Sequence, residues 1–205
     1  MGIDGEAGAG KTTLADDLRK RLESLGRTVI RSTIDNFHNP KAIRYAKGKH
    51  SPEGFFYDSY DFVKLKKMLL DPLSPGGSLM YRIAAFNHEL DEPVDGPPLR
   101  ANHNDILLFD GIFLHRPELI AYWDFSIFLD VDLPVVMERG VRRNGPNVGP
   151  LDAAALDPDT IYNRRYVEGQ RIYVRNHRPQ QAASILIDYN DLDNPCVVRK
   201  TTCRP

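Results

Sequence analysis

The chain opens on "GIDGEAGAGKTTL", residues 2–14, and few segments constrain a fold more. Gly5 to Thr12 fits G-x-x-x-x-G-K-[ST] at every fixed position. Such a loop needs a strand before it and a helix after it. Its glycines let backbone N–H groups turn inward around phosphate. Lysine then reaches the β- and γ-phosphates, the hydroxyl can ligate Mg²⁺, and the helix aims its positive end at the anion. Gly5, Glu6, Ala7, Gly8, Ala9, Gly10, Lys11, Thr12 and Thr13 are therefore the candidate ATP-binding residues. "MGID" falls short of the usual strand of about 5–6 residues, so the first strand is expected to be either trimmed or stunted.

Strand and helix signals alternate after the loop, which predicts an α/β fold with a parallel sheet flanked by helices. Leu14, Leu18, Leu22 and Leu25 share one face of a helix that Gly26 can stop. "RTVIRSTID" reads as a second strand ending at Asp35, "DFVKLKKMLL" as a short helix and "SLMYRIAAF" as a strand. "DILLFDG" and "FSIFLDV" read as buried strands with a brief helix, "PELIAYW", between them. "PVVMERGVRRN" starts a helix with proline in its first turn. A long helix follows in "DPDTIYNRRYVEGQRIYVRNHRP", capped by Asp157 with Pro158 at its first position, and "SILID" is the closing strand. "DPLSPGGS", "DEPVDGPPLRANHND" and "NGPNVGPLD" are Pro- and Gly-rich surface loops.

At 205 residues a single domain over 1–205 is expected. The 27 basic and 28 acidic side chains give a net charge of -1, which argues against a nucleic-acid partner held by bulk charge. No apolar run approaches the roughly 18 residues of a membrane span, and no signal peptide precedes the loop, so a cytoplasmic location is expected. Cys196 and Cys203 are too few for a disulfide framework and read as incidental thiols. Between Lys67 and Lys200 the chain has arginine and no lysine. That is either compositional bias or a set of planar forks suited to phosphate. A homo-oligomer stays open.

The fate of the phosphate is a separate matter. No guanine-reading [NT]KxD segment occurs, which counts against a GTPase. Asp35 closes the second strand at the sheet edge where open α/β sheets bind ligands. A carboxylate there can take the proton of an attacking hydroxyl. Asp-Asn is equally good turn chemistry, and on spacing alone the two readings stand level. A switch ATPase and a non-catalytic nucleotide-binding module are the rival classes.

"GEAGAGKTT", "DNFH", "SPEGFFYDSYD", "LLFDG" and an arginine-rich segment, in that order, resemble the uridine kinase and phosphoribulokinase family of P-loop kinases. The resemblance implies a three-layer P-loop sandwich with an arginine-bearing lid, here at about residues 139–166. It implies an ATP- and Mg²⁺-dependent kinase for a small-molecule acceptor, with a nucleoside first and pantothenate, a sugar or a sugar phosphate as alternatives. Asp35 matches the family's general base, with Lys11 beside it as a catalytic group. Thr12 and Asp110 are the metal candidates, Asp110 standing where the family has glutamate. His38 replaces a tyrosine and Phe56 a second aspartate. "MYRIAAFN" is similar to a stretch of pantothenate kinases, so Tyr81, Arg82 and Phe86 join His38 and Phe55 as acceptor candidates. An aromatic core strand explains Tyr81 and Phe86 almost as well. Arg82 is harder to bury unpaired, and His88 reads as a surface histidine.

In "ERGVRRN", Arg139, Arg142 and Arg143 are spaced to share one helix face. The resemblance makes Arg142 and Arg143 clamps on the transferring group, with Arg139 beside them. A solvated basic face is the other reading. Arg165 falls where pyrimidine kinases carry a base-reading glutamine, so it is a further acceptor candidate.

Overall fold

The computed structural model describes residues 1–144 and 156–201. Six strands form its central sheet: β1 (Gly2–Gly5), β2 (Val29–Thr33), β3 (Ile106–Gly111), β4 (Ser126–Asp130), β5 (Ile185–Asp188) and β6 (Cys196–Lys200). Their order is β6-β5-β4-β1-β3-β2. β1 to β5 are parallel, and β6 pairs antiparallel with β5. The expected α/β class is thus observed, with one strand more than "SILID" allowed. β1 pairs with β4 over all four of its residues and with β3 over three, so the short strand is held on both sides in the sheet.

Alternation along the strands sorts the core onto two faces. Ile3, Ile127 and Leu129 turn to one side and pack with Ala9 and Ala15, which α1 (Lys11–Ser24) and its approach supply. Phe109 and Phe128 turn to the other and meet Phe37, Phe55, Phe56, Phe113 and Tyr173. That second face is covered by α3 (Pro52–Asp58), which follows the short α2 (Lys41–Arg44), and by α5 (Ile161–His177), which follows α4 (Leu133–Asn144) in the chain. Helices therefore flank a mainly parallel sheet, with strand C-termini, β1 above all, feeding the loops that matter.

Several local expectations change. "SLMYRIAAF" is no sheet strand; it supplies two-residue strands at Met80–Tyr81 and Phe86–Asn87 that pair with Leu99–Arg100 and Glu92–Pro93. Two aromatic positions in a row of apolar residues imitate a strand of the central sheet, but their pairing is confined to two small two-stranded sheets. "DFVKLKKMLL" is helical but widens into a π turn over Lys66–Leu70, and "PELIAYW" closes only as a 3₁₀ turn, Ile120–Tyr122. Thr160, not Asp157, caps α5: its hydroxyl accepts from the Asn163 amide at 3.2 Å. Most of "NGPNVGPLD", residues 145–155 of the expected lid, and Cys203 lie outside the described residues.

Candidate active site

Asp4 and Gly5 end β1, and the chain then turns back into α1. Gly8 and Gly10 adopt φ of 93° and 92°, a region L side chains rarely enter. A Cβ would also stand 2.7 Å from the Val136 carbonyl at Gly8 and 2.9 Å from the Tyr189 ring at Gly10. Both positions demand glycine, because α4 and the end of β5 press on the loop. Gly10 caps α1 without a side-chain hydrogen bond and the first turn has no acid, so no side chain of the helix competes for its leading amides. Lys11 donates from Nζ to the Glu6 carbonyl at 2.7 Å, folding back over the loop. Burial pushes the Glu6 carboxyl above its ordinary value, and the Lys11 charge opposes the shift.

β3 brings Asp110 alongside. Thr12 Oγ1 donates to Asp110 Oδ2 at 2.8 Å, and Arg31 on β2 donates to Oδ1 at 2.6 Å. A hydroxyl and a carboxylate oxygen thus meet beside the phosphate loop, the hard oxygen chemistry that suits Mg²⁺. Among the described residues no group of three or more His, Cys, Asp or Glu gathers as a metal cage.

Asp35 sits in a 3₁₀ turn, Ile34–Phe37, directly after β2. Its carboxylate is 55% exposed and accepts from the Tyr60 hydroxyl at 3.4 Å. Burial, with Asp35 second, raises the Tyr60 phenol well above its ordinary value, so it stays a donor. His38 Nδ1 lies 2.9 Å from the Asp35 carbonyl. A carbonyl only accepts, so Nδ1 carries the proton and Nε2 of the neutral ring is left as an acceptor. The ring stacks on His88 at 4.6 Å and meets Tyr60 at 4.5 Å.

Burial lowers His38 to about 4, against the pull of Asp35. The neutral ring is favoured in the fold, while the unfolded chain protonates near 6.5. Between those values the unfolded state binds more protons, so the stability tied to His38 is lost as pH falls from about 6.5 through about 4. His88 and Arg44 face the ring and reinforce this; Asp35 opposes it. We expect His38→Gln to melt with a shallower pH dependence than the wild type across that window. Parallel melting curves would remove the ring as the cause.

These groups line one cavity of about 710 Å³. The phosphate loop, Thr12 and Asp110 form one end, and Asp35, His38, Lys41, Arg44, Phe55, Tyr60, His88 and Tyr166 continue the wall. His88, expected at the surface, belongs to the site through its stack on His38. Lys41, Arg44 and Tyr60 were missed by the sequence reading; the i, i+3 spacing of Lys41 and Arg44 on a short helix was the available signal.

Other candidates stand elsewhere. Tyr81 and Phe86 are 8% and 4% exposed and, with Arg82, do not line the cavity. The core reading fits both aromatics. Arg165 is buried behind the site, donating to the Lys49 and Ser51 carbonyls and stacking on Tyr45 and Phe55. It latches α5 to the turn before α3 and does not line the cavity. Arg139 lines the cavity, yet its guanidinium holds the carbonyls of Ala9, Tyr189 and Asn190, which braces the phosphate loop. Arg142 pairs with Glu138 one turn back and is 69% exposed. Arg139 and Arg142 stand three residues apart on α4, but their guanidiniums have different partners: carbonyls around the phosphate loop hold Arg139, and Glu138 holds Arg142. The Arg143 side chain lies outside the described residues.

A glycine loop between a parallel strand and a helix, with a strand-end carboxylate beside its lysine and threonine, defines a P-loop nucleotide-binding α/β protein. The model of the Phosphoribulokinase / Uridine kinase family matches residues 1–157, and the chain belongs to that family. A pantothenate kinase of Rhodopseudomonas palustris (strain TIE-1) is 28% identical over 177 residues, covering 80% of this chain and 54% of its own length. Uridine kinase-like protein 3 of Arabidopsis thaliana is 25% identical over 161 residues, 77% of this chain and 33% of its own. The chain spans about half the length or less of these relatives. A structure described as a possible uridine kinase from Bacillus stearothermophilus superposes with a TM-score of 0.69 at 23% identity, covering 90% of this chain and 85% of that one. The phosphoribulokinase of Rhodobacter spheroides does so at 0.57 and 15%, covering 91% and 68%. These two share the fold. No helix among the described residues is long and apolar enough to cross a membrane.

Proposed function

We propose that the protein is an ATP- and Mg²⁺-dependent kinase that phosphorylates a hydroxyl of a small metabolite. The observation that carries this is the placement of Asp35 on the wall of the same cavity as Lys11, Thr12 and Asp110. In the proposed step the acceptor oxygen bonds to the γ-phosphorus as the bond to the β–γ bridging oxygen breaks. Asp35 takes the hydroxyl proton and ADP leaves. Lys11 and the loop amides hold the phosphates, and Arg139 keeps the loop rigid under them. Thr12 and Asp110 would hold Mg²⁺, which supplies charge neutralisation to the phosphates. Arg31 on the other oxygen of Asp110 fixes the carboxylate's orientation.

The motif resemblance points to a nucleoside acceptor, whereas several matching curated relatives are named pantothenate kinases. An ADP-release assay over nucleosides, vitamins, sugars and their phosphates tests the reading. Release that depends on one class of hydroxyl compound is expected. Hydrolysis indifferent to every compound would instead favour a switch ATPase, and ATP binding without turnover a binding module.

A further inference from the structure

A general base has to be held as well as placed, and the turn that carries Asp35 does not hold it. The side chain is 55% exposed, and its carboxylate makes no hydrogen bond within the 3₁₀ turn. An exposed carboxylate keeps rotamer freedom, whereas a reacting oxygen needs fixing to within about 0.5 Å. The hold has to come from another part of the chain.

Tyr60 supplies it from 25 residues away. Residues 59–61 pair with 37–39. Asn39 donates its amide to the Ser59 carbonyl at 2.9 Å, and Asp61 donates to the Phe37 carbonyl at 2.8 Å. The two bonds flank an antiparallel bridge between His38 and Tyr60. Beyond the bridge, Asp61 caps the next helical turn, Phe62–Leu65, by accepting the Lys64 amide at 2.9 Å. The Tyr60 ring is enclosed by His38 at 4.5 Å and by Phe62 and Phe113, each at 6.4 Å. Its backbone and ring are thus fixed against the turn that carries Asp35, and its hydroxyl falls 3.4 Å from Asp35 Oδ1.

This contact makes the two carboxylate oxygens unequal. His38 Nδ1 lies 3.9 Å from the same Oδ1, but its proton goes to the Asp35 carbonyl. Among the described residues, Tyr60 is then the hydrogen-bond donor on Oδ1, and Oδ2 accepts from none. Burial keeps the phenol protonated, so it can only donate to a carboxylate. A distance of 3.4 Å is long for O–H···O, as catalytic hydrogen bonds often are before the reacting complex assembles.

We propose that Tyr60 is a positioning residue: its hydroxyl holds Asp35 by Oδ1, so that Oδ2 receives the acceptor's proton. This inference rests on the kinase reading of the same cavity. Because Tyr60 also lines the cavity, holding the base has to be distinguished from touching the acceptor.

Tyr60→Phe removes the hydroxyl and leaves the ring packing, so the variant should keep the circular dichroism spectrum and ATP affinity of the wild type. ADP release is followed with the compound that stimulates it most among nucleosides, vitamins, sugars and their phosphates, uridine and pantothenate first. We expect kcat to fall by about tenfold with both KM values within about twofold, the pattern of an interaction made in the transition state. The same change is then made in the Asp35→Asn background and followed in single turnover. With no base to hold, Tyr60→Phe should lower the residual rate by less than about twofold. An unchanged kcat in the single variant overturns the inference. So does an equal loss in both backgrounds, which marks a structural role. A raised acceptor KM at unchanged kcat also overturns it, by making Tyr60 an acceptor contact. Each of these leaves the kinase reading standing. Absence of acceptor-dependent release from the wild type with every compound, ATP still being bound, overturns both.

Discussion

Asp35→Asn should abolish most acceptor phosphorylation, lowering kcat by about 10²- to 10⁴-fold, the usual contribution of a positioned general base. ATP affinity should stay within about twofold, because a general base adds to the transition state and not to ground-state binding of the nucleotide. Asparagine keeps the shape of the side chain. It also keeps an oxygen that can accept from the Tyr60 hydroxyl, which meets Asp35 at 3.4 Å. The 3₁₀ turn does not depend on the carboxylate: the side chain of Asp35 is 55% exposed and no cap hydrogen bond to it forms there. Loss of turnover without loss of fold or ATP binding is therefore the specific signature of a missing proton acceptor. Single-turnover measurements with ATP and the best acceptor separate this from slowed product release. Retention of a third or more of the wild-type rate would move the base elsewhere and return Asp35 to turn chemistry.

The parts of the site legible in the sequence are those whose chemistry is written at fixed short spacing. The phosphate loop is one, since each of its residues acts through local backbone geometry, as Gly8 and Gly10 show. Asp35 was legible as a strand-end carboxylate, although spacing alone could not separate base from turn former. The partners of the arginines were not legible, for a physical reason. Helical spacing predicts which residues share a face, but not which partners capture each guanidinium. Carbonyls of Ala9, Tyr189 and Asn190 take Arg139, Glu138 takes Arg142, and Arg165 turns to Lys49 and Ser51. Tyr81 and Phe86 illustrate the same limit, because an aromatic packs equally well in a core or against a ligand. β6 was missed because its strand, "CVVRK", follows a run of Asp and Asn that reads as a tail, and only its pairing with β5 reveals it. Arg44 and Asp91 are 47 residues apart and meet only in the fold.

Asp4 is the strongest case of that kind, and its replacement should be the most damaging single change to stability. The side chain is fully buried between β1 and its neighbours. Its Oδ1 accepts the Gly5 amide at 2.7 Å, pinning the first residue of the phosphate loop. Its Oδ2 accepts the Leu114 amide at 3.0 Å, the His115 amide at 3.3 Å, His115 Nδ1 at 2.8 Å and the Tyr173 hydroxyl. Phe113, at φ 66°, turns the chain so that the two amides converge on the carboxylate. A left-handed non-glycine residue costs about 1–2 kcal/mol, so this turn persists because its surroundings enforce it. His115 Nε2 in turn meets Ser126 Oγ at 3.0 Å. Ser126, His115 and Asp4 follow the order of a hydrolytic triad, but His115 and Asp4 have 0% side-chain exposure, so no substrate reaches them. Their role is to tie β1, β4, the turn after β3 and α5 together at the root of the phosphate loop. Burial first, then Asp4, raises the Tyr173 phenol well above its ordinary value, which keeps it a donor. Asp4→Ala would leave these donors unpaired in a dry interior and should cost about 3–5 kcal/mol, measurable as a lower urea midpoint with unchanged slope. For a chain of this size that corresponds to a melting temperature lower by about 10 °C. Asp4→Asn keeps the volume but places an N–H₂ group among donors, so it should recover little of the loss. The Ser126→Ala change removes only the outermost hydroxyl and should cost about 1 kcal/mol. Equal, small effects from Asp4→Ala and Ser126→Ala would show that the carboxylate does not organise the cluster.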